Sequence, residues 1–364
     1  MLELLPRVPL FQLFRRVGRP EMLPINLTLV PSTRCNSRCL TCNIWKTHTD
    51  ELELSEWEQV FRSLGKSPYW VTISGGEPFL YPHLITFVTR LYELCRPAII
   101  NIPHNSLLDH VISRRVAEIA ERCSDSQIVV NLSLDGVGED HDRIRGVPGN
   151  FARFEKTYRS LRELDYPNLV IGIHTVISKY NARDIDDLVE YALALQPDSY
   201  ISEIAEQRVE LGTTGLDIAP SIDEYRQIVE RLISRLSRHT FNNLSQITWS
   251  FRKEYYRLVT RILTEQTQVI PCYAGWASAQ IHSNGDVWPC CVRGDAIMNL
   301  RDVNYDFRQV WFSPQADRIR QSIREKECYC PLANAGYTNM LHDYKSIARV
   351  GWGVLKSRLP GRRG

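Results

Sequence analysis

An alternation of short apolar runs with amphipathic stretches narrows the possible folds more than any other feature. PINLTLVP (24–31), YWVTISGGEP (69–78), AIINIPHNS (98–106), QIVVNLSLDG (127–136), NLVIGIHTVI (168–177) and DSYISEIAE (198–206) read as strands. Between them, LSEWEQVFRSL (54–64), HLITFVTRLYEL (83–94) and stretches near 108–122, 151–164 and 183–195 carry helical spacing. In the first of these helices Ser55 reads as the cap, with Glu58 three residues on. Repeated strand–helix units build a parallel sheet, and six of them suit a partial (β/α)6 barrel better than the closed eight-fold form. Ligands in such sheets bind at the carboxyl ends of the strands.

The pattern changes after residue 215. A long amphipathic helix is expected over 221–239 and another over 250–266. QIHSNGDVW then reads as a hairpin turning at Asn284-Gly285, with helices near 305–312 and 315–326. The expected divisions are an N-terminal extension 1–20, the barrel 21–215, a helical linker 216–270, a small α+β domain 271–340 and a C-terminal tail 341–364.

Ten cysteines in a chain with no secretory signal and no apolar run long enough to span a membrane point to a reducing compartment, where clustered thiols bind metal more often than they form disulfides. Cys35, Cys39 and Cys42 fall within eight positions, just after the first strand. A structural zinc site is closed by four ligands, and His48 is awkwardly spaced to be the fourth. Thiolates also suit iron–sulfur clusters, and three of them leave one iron of a four-iron cluster open. Cys95 and Cys123 lie in helical patterns and read as small buried hydrophobes.

Cys35-x3-Cys39-x2-Cys42 after a first strand resembles the radical S-adenosylmethionine (SAM) enzymes. Gly75-Gly76-Glu77-Pro78 is similar to that family's GGEP motif, and SLDG (133–136) followed by HDRIRG (141–146) resembles members with a C-terminal cluster domain. The resemblance covers about residues 24–340. It implies a SAM-binding four-iron, four-sulfur cluster on Cys35, Cys39 and Cys42. It also implies reductive cleavage of SAM to a 5′-deoxyadenosyl radical and hydrogen abstraction from a substrate. By the same resemblance Gly75, Gly76, Glu77 and Pro78 border the SAM methionine group. Ser133 and Asp135, at alternate positions, face the site together, and Arg145 reaches the SAM carboxylate or else pairs with Asp135 or Asp140. Asp135 and Glu203 are the candidate catalytic residues, Glu203 as a base or else as a buried, paired carboxylate. The position before the third cysteine, often aromatic in the family, is Thr41, so the adenine contact is not assigned.

Five later cysteines, Cys272, Cys290, Cys291, Cys328 and Cys330, open with the spacing Cys272-x12-Gly285-x4-Cys290, similar to the start of that family's auxiliary-cluster domain. Its longer form, SPASM, holds two clusters; its shorter form, twitch, holds one. Cys272, Cys290, Cys328 and Cys330 suffice for one auxiliary four-iron cluster, with Cys291 a spare that could alter the set. An auxiliary cluster suggests an electron acceptor, hence a net oxidation: a dehydrogenation or a new carbon–carbon or carbon–sulfur bond. The substrate expected is a small molecule, lipid, glycolipid or sugar, with reducing equivalents from a flavodoxin or ferredoxin. The alternatives are a peptide-modifying maturase, or a non-catalytic electron carrier or scaffold.

Charge is uneven. Residues 1–20 carry +3 and residues 344–364 carry +6 with no acid, which leaves −7 between them in a chain of net charge +2. A net charge so near zero gives no ground for a nucleic-acid partner. Both tails mix leucine, phenylalanine, valine or tryptophan with arginine and lysine, a pattern that can lie in an anionic membrane interface. The expected place is the cytoplasm, at the inner face of the membrane if the tails bind lipid.

Overall fold

The computed structural model describes residues 2–238 and 246–358. After a docked helix α1 (Val8–Val17), the strand–helix alternation runs β1 (Asn26–Ser32), α2 (Leu54–Leu64), β2 (Trp70–Gly75), α3 (Leu84–Cys95), β3 (Ile99–His104), α4 (Asp109–Arg122) and β4 (Gln127–Ser133). It continues through α5 (Glu139–Arg145), α6 (Asn150–Arg162), β5 (Leu169–Ile177), α7 (Ile185–Ala194) and β6 (Ser199–Ile204). Helices α8 (Ile222–Arg238) and α9 (Gln246–Glu265) lead to the strands β7 (Ser278–Ile281), β8 (Asp286–Trp288) and β9 (Met298–Asn299). Four helices close the chain: α10 (Phe307–Trp311), α11 (Pro314–Arg324), α12 (Ala333–Leu341) and α13 (Tyr344–Arg358).

β1 to β6 pair in parallel with their sequence neighbours, as the alternation predicts. The sheet does not end at β1. β7 pairs with it in parallel, and β8 and β9 follow antiparallel, giving the order β6-β5-β4-β3-β2-β1-β7-β8-β9. The cysteine-rich segment therefore extends the barrel sheet across the expected divisions at 215 and 271. Its hairpin turns at Gly285, whose φ of 93° is one that L side chains rarely adopt.

Alternation within the strands sorts side chains by face. Leu27, Leu29, Val71, Ile73, Ile100, Ile102, Ile128, Val130, Leu132, Ile171 and Ile173 are buried in one hydrophobic core. The opposite parity is polar: Thr28, Thr72, Asn101, Asn131, His174, Glu203 and Gln280 share the other face by register. Asn131 Nδ2 donates to Asn101 Oδ1 at 2.7 Å, and Asn101 Nδ2 to Thr72 Oγ1 at 3.4 Å. These hydrogen bonds give partners to the amide N–H groups of Asn131 and Asn101, which burial would otherwise penalise. On α12, Asn334 Nδ2 donates to Thr28 Oγ1, and Asn26 Nδ2 donates to Asn334 O and Thr338 Oγ1. That helix covers the amino-terminal side of β1 and leaves the carboxyl ends for the site.

One expectation needs correcting. The cap of α2 is Glu53, not Ser55: its carboxylate accepts from the Glu56 backbone N–H while Glu56 returns a bond to Glu53 N. The basic N-terminal extension packs on the body of the protein. Phe11 and Phe14 are buried, Arg15 lies over the rings of Tyr273 and Trp276, and Arg15 Nε donates to the Cys272 carbonyl at 3.0 Å. The helix docks by an apolar face, because burying two phenylalanines outweighs any attraction of its arginines to acidic surface.

Candidate active site

Cys35, Cys39 and Cys42 sit on the loop that leaves the carboxyl end of β1, all three half-buried. Four segments pin that loop. Gly76 N donates to Ser32 O and Glu77 N to Arg34 O, at 3.0 and 2.8 Å. Arg38 N and Leu40 N donate to the carbonyls of Arg145 and Ile144, at 3.0 and 2.9 Å. Asn43 N donates to Leu211 O at 2.8 Å. From the end of β3, Asn105 Nδ2 donates to Asn36 Oδ1 and Ser37 Oγ at 2.7 and 3.0 Å. Burial, and then the neighbouring Cys39, push the Cys42 thiol up to about 12, and burial raises Cys35 and Cys39 as well. Bare thiols here stay protonated. Metal binding must drive their deprotonation, as it does at thiolate sites generally.

The glycines of the Gly75–Pro78 turn are demanded by space. A Cβ on Gly76 would lie 2.1 Å from the Arg34 carbonyl oxygen, and one on Gly75 would lie 2.3 Å from that of Ser32. The turn thus lies backbone to backbone against the cysteine loop. Gly146 does the same from α5, where a Cβ would meet Arg38 O at 2.3 Å. Glu77 is buried, and its two oxygens accept from Phe79 N and Asn105 N at 3.0 and 2.8 Å. It ties the ends of β2 and β3 together. Pro78 opens the short helical turn that Glu77 caps.

Asp135 and Arg145 meet each other. Asp135 Oδ2 accepts from Arg145 Nη1 at 3.0 Å and Oδ1 from Val176 N at 2.8 Å, in a pair whose side chains are 2% and 12% exposed. Arg145 lies beside the thiols of Cys39 and Cys35, and its buried Nε has no hydrogen-bond partner among the described residues. The pairing alternative for Arg145 is thus the arrangement present, and Asp135 is an anchor for it with both oxygens occupied. Ser133 holds the expected face, in register with His174.

Glu203 is the paired carboxylate rather than a free base. His174 Nε2 lies 3.3 Å from Oε1 and Arg208 Nη2 lies 3.2 Å from Oε2. Burial would raise its pKa, but these two partners hold it down to about 2. Sequence reasoning missed its neighbour Glu206, which shares Arg208 at 2.9 Å. Burial and then the repulsion of Glu203 raise Glu206 to about 7 against the pull of Arg208, and its Oε2 has no hydrogen-bond partner among the described residues. The motif EIAEQRVE (203–210) was the available signal: three carboxylates around one arginine just past a strand's carboxyl end.

The signs of these shifts give a pH prediction. The raised Glu206 contributes stability that is fully present below its unfolded value of 4.5 and lost as pH rises through about 7. The depressed Glu203 contributes stability present above 4.5 and lost only as pH falls through about 2. Replacing Glu206 by Gln removes the first effect alone. Wild type should lose stability relative to Glu206→Gln as pH rises from about 4.5 to about 7, by at most about 1.4 kcal/mol per pH unit, with no further divergence above that window. Thermal melting of the cluster-loaded protein at a series of pH values checks it; parallel profiles would refute it.

Cys272, Cys290, Cys328 and Cys330 line one small cavity of about 40 Å³ together with Arg293 and Asn339. Burial raises the Cys290 thiol to about 12, with Cys272 and Cys328 adding to the effect. Cys291 does not line that cavity. It is 7% exposed, and its thiol lies near the Glu210 carboxylate and Arg208. Among the described residues no three metal-ligating side chains converge as a single ion requires. Thiols spread around a cavity fit a cluster better than one zinc ion. Cys95 and Cys123 are fully buried in the hydrophobic core.

Residues 29–192 match the radical SAM superfamily, and residues 272–331 match SPASM, an iron–sulfur cluster-binding domain. The chain is 25% identical to the sporulation killing factor maturation protein of Bacillus subtilis over 74% of this chain and 60% of that protein. It is 23% identical to the AdoMet-dependent heme synthase of Methanosarcina barkeri over 81% of this chain and 84% of that protein. Its fold is similar to that of a Streptococcus suis protein solved bound to a precursor peptide, with a TM-score of 0.61 and 20% identity, covering 82% of this chain and 67% of that one. The first of these relatives is thus spanned for less than two-thirds of its length. With the cysteine loop, the glycine cradle beside it and the separate four-thiol cavity in place, the chain carries a radical SAM domain at residues 29–192 and a C-terminal SPASM iron–sulfur domain at residues 272–331.

Proposed function

We propose that this enzyme couples SAM-dependent hydrogen abstraction to a net oxidation of its substrate, with Cys35, Cys39 and Cys42 holding the SAM-binding cluster and Cys272, Cys290, Cys328 and Cys330 holding one auxiliary cluster. When bound, the first cluster supplies the electron that cleaves a carbon–sulfur bond of SAM. The chain's own residues do the rest of the positioning. The Gly75–Gly76 turn offers backbone beside the cysteine loop, Glu77 and Asn105 fix that turn to β3, and Asp135 holds Arg145 against the thiols of Cys35 and Cys39. Glu206 is the residue suited to take a substrate proton, since it combines an unpartnered oxygen with a pKa near neutrality. The observation that carries the oxidative reading is the second set: four thiols around a cavity of their own supply a complete ligand set, and so a site for an electron to go.

A peptide is the substrate class this reading favours, supported by the maturation protein among the relatives and by the precursor peptide in the similar solved structure. A tetrapyrrole is the second reading, supported by the heme synthase match along 84% of that protein. The test is anaerobic. Protein reduced in the presence of SAM should release 5′-deoxyadenosine, and the Cys272→Ala variant should still do so while losing the oxidised product. Loss of cleavage in both proteins, or unchanged product in the variant, would sink the oxidative role.

A further inference from the structure

We infer that the outer faces of α1 and α13 form a docking surface for an anionic lipid bilayer. The inference goes beyond the reaction and does not depend on it. Helix α1 uses Val8, Phe11 and Phe14 to pack on the protein. Its other side leaves Leu10 41%, Leu13 47% and Val17 64% exposed, spaced three and four residues apart, so they form one stripe. Leu5, 46% exposed, lies just before them. Helix α13 repeats the arrangement. Ser346 and Val350 are buried, while Tyr344, Trp352 and Leu355 are 66%, 69% and 60% exposed. The two helices meet where the Tyr344 hydroxyl donates to Gln12 Oε1 and Gln12 Nε2 donates to the His342 carbonyl at 2.9 Å.

Large apolar side chains so exposed, gathered on two touching helices, mark a surface that something covers. Charge selects the occupant. Residues 4–20 hold Arg7, Arg15, Arg16 and Arg19, and residues 344–364 hold six lysines and arginines, with no acid in either stretch, although the rest of the chain is acidic. A second copy would set these cations against each other. An anionic bilayer pairs the exposed Arg16, Arg19, Lys345 and Arg349 with lipid headgroups while the leucines, Trp352 and Tyr344 enter the boundary below, the depth that such aromatic side chains prefer. No helix among the described residues is long and apolar enough to cross a membrane, so the contact is peripheral.

The test uses the full-length, cluster-loaded protein and vesicles of phosphatidylcholine with or without phosphatidylglycerol. Wild type should co-sediment with the mixed vesicles and far less with phosphatidylcholine alone, and should be released by salt. Leu10→Ser/Leu13→Ser and Trp352→Ser/Leu355→Ser should each weaken partitioning by about tenfold or more, the effect of removing two large apolar groups from a buried interface. Iron content and melting temperature should stay at wild-type values, since each site is exposed. A measurement on wild type alone guards against misfolded variants: bromine-labelled lipids should quench tryptophan fluorescence, because Trp352 is the most exposed tryptophan among the described residues. Equal binding by all variants, no binding to mixed vesicles, or a wild-type dimer that these same substitutions dissociate would overturn the proposal. The last result would make the face a contact between copies.

Discussion

Replacing Gly76 by Ala is expected to cost the protein its SAM chemistry. A Cβ there would lie 2.1 Å from the Arg34 carbonyl oxygen, 2.4 Å from the Arg34 carbonyl carbon and 2.5 Å from the Thr33 carbonyl oxygen. All three are backbone atoms, one and two residues before Cys35, so no side chain can swing away. The cysteine loop or the Gly75–Pro78 turn must move, and Gly76 N→Ser32 O and Glu77 N→Arg34 O are the bonds that break. Displacing reacting groups by about an ångström costs about a hundredfold in rate, so 5′-deoxyadenosine formation should fall at least that far. About four irons should be lost in addition if the three thiols no longer converge. Gly351→Ala is the matched control: a Cβ there meets nothing within 4 Å, and alanine favours a helix by about 1 kcal/mol. An alanine at 76 that retained full iron and full SAM cleavage would show that the close approach is not needed.

Exchanging neighbouring cysteines should give opposite results. Cys290→Ser removes a thiol that lines the four-cysteine cavity, whereas Cys291→Ser removes one outside that cavity, near Glu210 and Arg208. About four irons should disappear from the first variant and none from the second, counted per chain after anaerobic reconstitution. The first should keep SAM cleavage, because Cys35, Cys39 and Cys42 occupy a different loop. Iron loss in both variants would place Cys291 in the ligand set.

The contrast between these two residues shows how far sequence could reach. Cys290 and Cys291 are adjacent in the chain, and only the resemblance carried by the Gly285-x4-Cys290 spacing favoured the first. The fold divides them: Cys290 lines the four-cysteine cavity, while backbone hydrogen bonds from Val209 N to Val292 O and from Glu210 N to Cys291 O hold the turn at Cys291 beside the carboxylates. The same limit applies to Arg145. Its charge and place after SLDG made two partners reasonable, and the fold chose Asp135 by bringing β4 and α5 together.

The element order, the parallel sheet and the place of the first cysteines were determined by the sequence itself. Strand and helix periodicities are local, and a parallel sheet always presents its loops at the carboxyl ends of its strands. The motifs around Cys35 and Gly76 were legible for the same reason, being short and contiguous. Tertiary structure alone decided that β7 joins the barrel sheet at β1, that α1 docks through Phe11 and Phe14, and that Glu203 and Glu206 converge on Arg208 with His174 against Glu203. Each of these depends on contacts between segments far apart in the chain or on differential burial. Whether a carboxylate sits at about 2 or about 7 is set by which neighbours surround it and by how much water they exclude.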